Sequence, residues 1–382
     1  MSTSTPIFWV GLDVHKDSVT CAVFRDQEPE PMRVDRLPND HRKLRRYFER
    51  LAGMGSVRAC YEASGTGSVL QRALTDWGMP CELAGPSLIP KRPGDRRKHD
   101  RRDAIELGRH YRAGQLVLIH VPSEDDERVR DLVRCRETFQ SEIIKSRHYI
   151  LKFLRRRGFI YREGTHWTVR HLGWIRRILQ PGTLAEEDRT VLAEYFALLE
   201  YKLQRRDELD RRIEALALTP RYKPVVDLIG CFRGLGTQSA MVLATELGDV
   251  RRFDSPRKLM AYVGLVPGER SSGDRRRQGS ITKAGNARVR HVLIQAAWSY
   301  RRRPTVSAAL KRRQQGQDPA VVAHAWKCQH RLFKLYHRLA VKKPRQVAAT
   351  AVARELVGFL WAVLRDVDVS QLQDQEVAHA AA

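Results

Sequence analysis

The first 113 residues alternate between strand and helix signals, and that order restricts the fold more than any other feature of the chain. Ile7 to Asp13 is an apolar run with strand propensity. It is broken at His15, Lys16 and Asp17 and resumes from Val19 to Phe24, which predicts a hairpin. A weaker third strand falls near Met32 to Asp35. Leu44, Tyr47, Phe48 and Leu51 share one face over 40–53 and predict a helix. Ser56 to Tyr61 then predicts a buried strand, Gly65 to Trp77 a helix, Cys81 to Ala84 a strand and Asp100 to Ala113 a helix. Three strands followed by helix, strand, helix, strand, helix suit an α/β domain with a mixed sheet.

Acidic residues sit where such a sheet does chemistry. In an α/β sheet the carboxyl ends of the strands line the ligand crevice. Asp13 closes the first strand, and Glu62 follows Tyr61 at the end of the strand Ser56 to Tyr61. Asp100 and Asp103 are three apart, so they share a face at the start of a helix. Taken singly, each has a plain structural explanation. Asp100 or Asp103 suits a helix N-terminus, and Asp13 before His15 and Lys16 suits a turn. Taken as a set, they can hold divalent cations. Phosphoryl transfer commonly uses two such ions, which clamp the attacking and leaving oxygens. Carboxylates are the natural ligands of Mg²⁺. The neighbouring Arg101 and Arg102 suit a DNA backbone.

The charge agrees. Against 44 Asp and Glu stand 69 Lys and Arg, a formal net charge of +25. Such an excess attracts polyanions through phosphate neutralisation and counterion release. Nucleic acid is the favoured partner over an anionic membrane. No stretch reads as the roughly 20 apolar residues that span a bilayer, and the N-terminus has no secretion-signal pattern. The six cysteines are scattered with no C-x-x-C pair, which argues against a zinc site or disulfide framework and fits a reducing cytoplasm.

From about 125 to 217 strand signals give way to long helical stretches rich in Arg and Glu. Leu192, Phe196, Leu199 and Leu203 repeat at 4-3-4 spacing, and Leu209, Ile213 and Leu216 continue after one slip. The stripe suits a dimerising coiled-coil hairpin or a helix packed on its own domain equally well. Cys231 to Gly236, C-F-R-G-L-G, lies between two helical patterns and resembles a helix-hairpin-helix phosphate clamp. The segment 264–290, GLVPGERSSGDRRRQGSITKAGNARVR, is a basic glycine-rich loop before a helix near Ala287. Its arginines can clamp phosphate, and a serine hydroxyl there, of Ser271 or Ser272, could attack a phosphodiester. From these residues alone, a phosphate-binding loop without chemistry is the simpler reading. Residues 305–366 are helical again.

Together these strings resemble the DEDD-type transposases of the insertion-sequence family numbered one hundred and ten, also called bridge-RNA-guided recombinases. GLDVHKD at 11–17, YEASGTG at 61–67, KHDRRDA at 98–104 and the segment 264–290 carry the resemblance, with ATELGDVRRFDSPRKLMAYVGL at 244–265 and VARELVGFLWAVLRD at 352–366. The resemblance implies a RuvC-like RNase H fold over 1–124, a helical coiled-coil region over 125–218, a mainly α C-terminal transposase domain over 219–368 and a tail over 369–382. It implies that Asp13, Glu62, Asp100 and Asp103 fill the acidic positions and bind Mg²⁺. It places the serine nucleophile at Ser272, with Ser271 adjacent. His99 departs from the small residue more usual there.

The expected activity is therefore metal-dependent DNA strand cleavage and exchange through Ser272, on donor and target DNA, with a structured guide RNA and a dimer or tetramer as partners. Arg101, Arg102, Arg275, Arg276, Arg277, Lys283 and Arg288 are the expected nucleic-acid contacts. Two other readings stand. A Holliday-junction-type nuclease would need the acids but not the serine, and a basic architectural protein would need neither.

Overall fold

Residues Ile7–Val14 form β1, and the N-terminal unit is arranged around it. The computed structural model describes residues 5–86, 89–90, 99–269 and 278–368. The short turn at 15–17 returns the chain antiparallel as β2 (Ser18–Arg25), and β3 (Arg33–Pro38) pairs antiparallel with β2. Helix α1 (His41–Ala52), capped by the Asp40 carboxylate, leads to β4 (Ser56–Glu62), which pairs parallel with β1. Helix α2 (Val69–Asp76), β5 (Cys81–Ala84), α3 (Asp100–Arg112) and β6 (Leu118–Ile119) complete the unit. The sheet order is β3-β2-β1-β4-β5-β6, a mixed sheet as the sequence predicts. The two-residue β6 was not foreseen, because an exposed strand that short has no periodicity to detect.

The alternation along β1 divides its side chains between two layers. Phe8, Val10 and Leu12 are buried with Leu44, Phe48 and Leu51 of α1. Trp9 and Gly11 face the layer of α3, where Ala22 and Phe24 of β2 pack with Ala104.

The chain divides into two compact units between Pro122 and Ser123. In the second, α4 (Glu124–Arg156), α5 (Val169–Ile178) and α6 (Glu186–Ala217) are followed by α7 (Lys223–Gly230), α8 (Thr237–Leu247) and α9 (Pro256–Tyr262). A hairpin of β7 (Pro267–Glu269) and β8 (Gln278–Ile281) precedes α10 (Ala287–Ala297). Helices α11 (Ala308–Gln314), α12 (Pro319–Ala340) and α13 (Arg345–Leu364) close the described chain. The turn 231–236 does join two helices, α7 and α8, with Gly234 at φ 84°.

Leu192, Phe196 and Leu199 are buried in one cluster with Ile143, Ile150, Phe153 and Leu154 of α4, so the seam of α6 is covered from within the chain. At the root of the hairpin Val133, Ile213 and Ala217 enter the main core of the C-terminal helices. The sequence separates these stretches near 218. Their shared core makes them one unit.

Helix α13 corrects another expectation. It is long and apolar enough to cross a membrane by length and composition. Its apolar residues have a different use here, since Ala349, Val352, Leu356 and Leu360 lie in the core, and Arg354 and Glu355 interrupt it midway.

Candidate active site

Glycine at position 11 lets α3 lie almost on the backbone of β1. A Cβ at Gly11 would overlap Ala104 O and Gly108 N and would stand 2.7 Å from Gly108 Cα. Gly108 in turn leaves room for the Phe24 ring, which a Cβ there would meet at 2.7 Å. The helix runs antiparallel to the strand. Tyr111 meets Trp9 edge-on at 5.2 Å, the turn of Ala104 to Gly108 covers Gly11, and the start of the helix reaches the end of β1.

Three side chains meet there. His15 Nε2 lies 3.1 Å from Asp13 Oδ2 and 3.4 Å from Asp100 Oδ1. Ligand atoms of Asp13, His15 and Asp100 all fall within 4.8 Å of one another. Asp13 is the most sheltered, its side chain 18% exposed against 39% for the other two. The turn that carries His15 is fixed by His15 N donating to Ser18 O at 2.8 Å and by Asn39 Nδ2 donating to His15 O at 2.9 Å. The N-terminus of α3 adds the partial positive charge of its free amides, which favours carboxylates. Two carboxylates and an imidazole in this space form a donor set that fits a divalent cation. The hard oxygens suit Mg²⁺ or Mn²⁺, and the imidazole extends the range to softer ions.

The other two acids lie close by in the fold but outside that cluster. In β1 and β4, Leu12 pairs with Tyr61, so Asp13 and Glu62 occupy the next rung and share a face. Glu62 is exposed at the strand end. Asp103 is exposed in the first turn of α3. Sequence reasoning missed His15. The signal was available, because in the extended stretch Asp13, Val14, His15 the first and third residues share a face.

A cavity of about 440 Å³ opens beside Asp100, lined by Thr20, Arg36, His99 and Arg101 among others. It places two guanidinium-bearing residues next to the acids. Arg101 was expected as a nucleic-acid contact; Arg36 was not, since nothing in the strand pattern distinguishes it. Arg102 is exposed on the same helix.

In the second unit, Ser271, Ser272, Arg275, Arg276 and Arg277 lie outside the described residues. The neck of their loop is described. Gly264 (φ 67°) and Gly285 (φ 82°) cross so closely that a Cβ on either would overlap the opposite backbone. Lys283 is exposed at φ 56°. Arg290 Nη1 donates to Val263 O at 2.9 Å. Buried Glu246 of α8 accepts from Arg134 Nε at 2.7 Å and from Asn286 Nδ2 at 2.8 Å, and Asn286 also caps α10. Burial works against the charge of Glu246, but Arg134 and Asn286 outweigh it and hold the carboxyl below its usual range. Arg288, an expected nucleic-acid contact, pairs with Glu137 and stands 3.9 Å from Glu246.

A mixed sheet with acids at the carboxyl end of its first strand, followed by a basic helical unit, suits an enzyme that acts on nucleic acid. Two family models match the chain. A DEDD-type model described as a transposase covers residues 10–157, and the model of the transposase IS116/IS110/IS902 family covers residues 227–312. Among relatives, the chain is 38% identical over 368 residues to the transposase-named protein y4qE of Sinorhizobium fredii, covering 94% of this chain and 88% of that one. It is 28% identical over 341 residues to the transposase for insertion sequence element IS1533 of Leptospira borgpetersenii, covering 88% and 98%. A more distant relative, 27% identical over 229 residues, is the pilin gene-inverting protein of Moraxella bovis, with 58% and 60% covered. The chain belongs to the IS116/IS110/IS902 family of transposases and is a DNA transposase or recombinase. The reading as a non-enzymatic architectural protein is thereby set aside.

Proposed function

We propose that the chain cuts and exchanges DNA strands through a serine ester, with Asp13, Glu62, Asp100 and Asp103 holding Mg²⁺. The observation that carries the metal half is the convergence of Asp13 and Asp100, 87 positions apart, on His15. A bound divalent cation would supply charge neutralisation and Lewis acidity at the scissile phosphate. Asp13, the most sheltered acid, and Asp100 form the floor of the site, and Glu62 and Asp103 extend it. Arg36 and Arg101 hold the DNA backbone beside it, and Arg102, Arg275, Arg276, Arg277 and Lys283 neutralise further phosphates.

In the chemical step Ser272 Oγ attacks phosphorus and loses its proton. The bond from phosphorus to one deoxyribose oxygen breaks, and that oxygen leaves protonated. The serine ester keeps a phosphodiester's worth of bond energy. A deoxyribose hydroxyl of another strand then attacks the ester, frees the serine and reseals the backbone. The relative named for inverting a pilin gene supports this reading, because inversion requires rejoining. Each centre cuts one strand, so exchange takes a dimer or tetramer. A structured guide RNA is the further partner that the family resemblance implies.

The test is a comparison of Ser272→Ala, Ser271→Ala and Asp13→Asn on DNA carrying the element ends. A denaturing gel should reveal a protein–DNA adduct that Ser272→Ala and Asp13→Asn both abolish. Full recombination by Ser272→Ala, with loss in Ser271→Ala, would move the nucleophile by one residue. Cleavage by Ser272→Ala without any adduct would favour the hydrolytic nuclease. Recovery of a specific RNA with the purified chain checks the guide.

A further inference from the structure

From residue 319 to residue 354 the chain has eight Lys and Arg, three His and no Asp or Glu. Helix α12 accounts for most of this stretch. Its apolar face is committed, with Ala325, Cys328, Leu332 and Tyr336 in the core. Its outward face carries Lys327, Arg331, Lys334 and Arg338 in one stripe at 4-3-4 spacing. At 1.5 Å per residue that stripe runs about 16 Å.

On the two long helices α4 and α6, by contrast, cations are interleaved with acids. Arg128 pairs with Glu124 on α4, Arg189 with Glu186 on α6, and Lys145 with Glu142 on α4. On α12, among the described residues, Lys327, Lys334 and Arg338 pair with no carboxylate. Like charges at i,i+4 cost a few tenths of a kcal/mol each. Two such pairs, Lys327 with Arg331 and Lys334 with Arg338, are kept here. The stripe forms one wall of a groove of about 760 Å³, and Arg354 and Ala351 of α13 contribute to the other. Among the described residues Glu355 is the one carboxylate lining it, and it is 2.9 Å from Arg331. Trp326, 41% exposed, stands edge-on to His330 at 4.6 Å beside the stripe. Cations in a row with an exposed indole are the elements of sequence-independent nucleic-acid binding.

We infer that the α12–α13 groove is a nucleic-acid backbone site, in which Lys327, Lys334 and Arg338 each contact a phosphate of one strand without reading its sequence. The inference rests on family membership and not on the serine chemistry. The phosphodiester backbone is the ligand, and DNA and RNA both supply it.

The experiment uses the full chain carrying Lys327→Gln, Lys334→Gln and Arg338→Gln together, with the charge-keeping Lys327→Arg, Lys334→Arg, Arg338→Lys variant as the check on folding. Binding to random-sequence duplex DNA and to a hairpin RNA is measured from 50 to 200 mM salt. Loss of three phosphate contacts lowers the slope of log affinity against log salt by about 2.7 on duplex DNA, so the variant loses about 40-fold less affinity than wild type across that range. The charge-keeping variant should retain the wild-type slope. A change on duplex DNA alone assigns the groove to DNA, and a change on RNA alone assigns it to RNA. Unchanged slopes on both would overturn the inference. So would an equal change when the acid-paired Arg128, Lys145 and Arg189 are replaced by Gln, because net charge alone would then account for it.

Discussion

Replacing Gly11 by Ala should disable the acid cluster without touching any acid. The added methyl would overlap Ala104 O and Gly108 N and stand 2.7 Å from Gly108 Cα, where ordinary contact begins at 3.4 Å. Helix α3 must therefore retreat by roughly 1 Å, since a packed interior transmits such strain instead of absorbing it. Two effects follow. Overpacking costs about 1–3 kcal/mol, which for a unit spanning Met1–Pro122 lowers the melting midpoint by roughly 3–5 °C per kcal/mol. Displacement of Asp100 from Asp13 by about 1 Å costs on the order of 100-fold in rate. A thermal melt would measure the first effect, and single-turnover DNA cleavage with a divalent-cation titration the second. Gly53→Ala is the control, because a Cβ there makes only ordinary 3.6 Å contacts. Wild-type cleavage and melting by Gly11→Ala would refute the argument that close approach of α3 builds the site.

Four further outcomes are expected. Asp100→Asn should weaken divalent-cation binding and strand cleavage by at least tenfold and leave the melting midpoint within about 2 °C, as calorimetry on the purified chain can check. Glu246→Ala should destabilise the second unit by about 3 kcal/mol or more by leaving Asn286 and Arg134 without their buried acceptor, read by denaturant unfolding. Because the carboxyl of Glu246 is held below its ordinary range, its contribution is present above that range and lost as pH falls through the folded value. Glu246→Gln should therefore flatten the acid limb of the stability curve. His171 is buried, and burial with the neighbouring His166 depresses it from 6.5 to about 4. The unfolded chain thus takes up a proton that the folded chain refuses between pH 6.5 and 4, so stability falls with pH across that window, and His171→Phe should remove this slope in melts at pH 7 and pH 5.

How much could be seen in the chain before folding depended on the range of the signal. Strands β1, β2, β4 and β5 were legible because apolar runs and alternation are local. The convergence of Asp13 and Asp100 was not local. It depends on Gly11 fitting Gly108, a match between residues 97 apart that no periodicity reports. The stripe of Leu192, Phe196 and Leu199 announced a buried face but not what buries it, since a helix presents the same pattern to its own α4 as to a second chain. The β7–β8 hairpin was read as loop because its short strands are mostly Gly, Gln and Pro, with little β-propensity. Helix α13 shows the converse, since its composition alone does not distinguish a core helix from a membrane span.

The shared rung of Asp13 and Glu62 governs where this chain can change length. Strand side chains alternate with period two, so one residue added inside β4 would turn Glu62 away and bring Tyr61, now hydrogen-bonded to Gly67, to the acidic face. Chimeras between relatives should therefore cross over in the connecting turns and keep both strands intact.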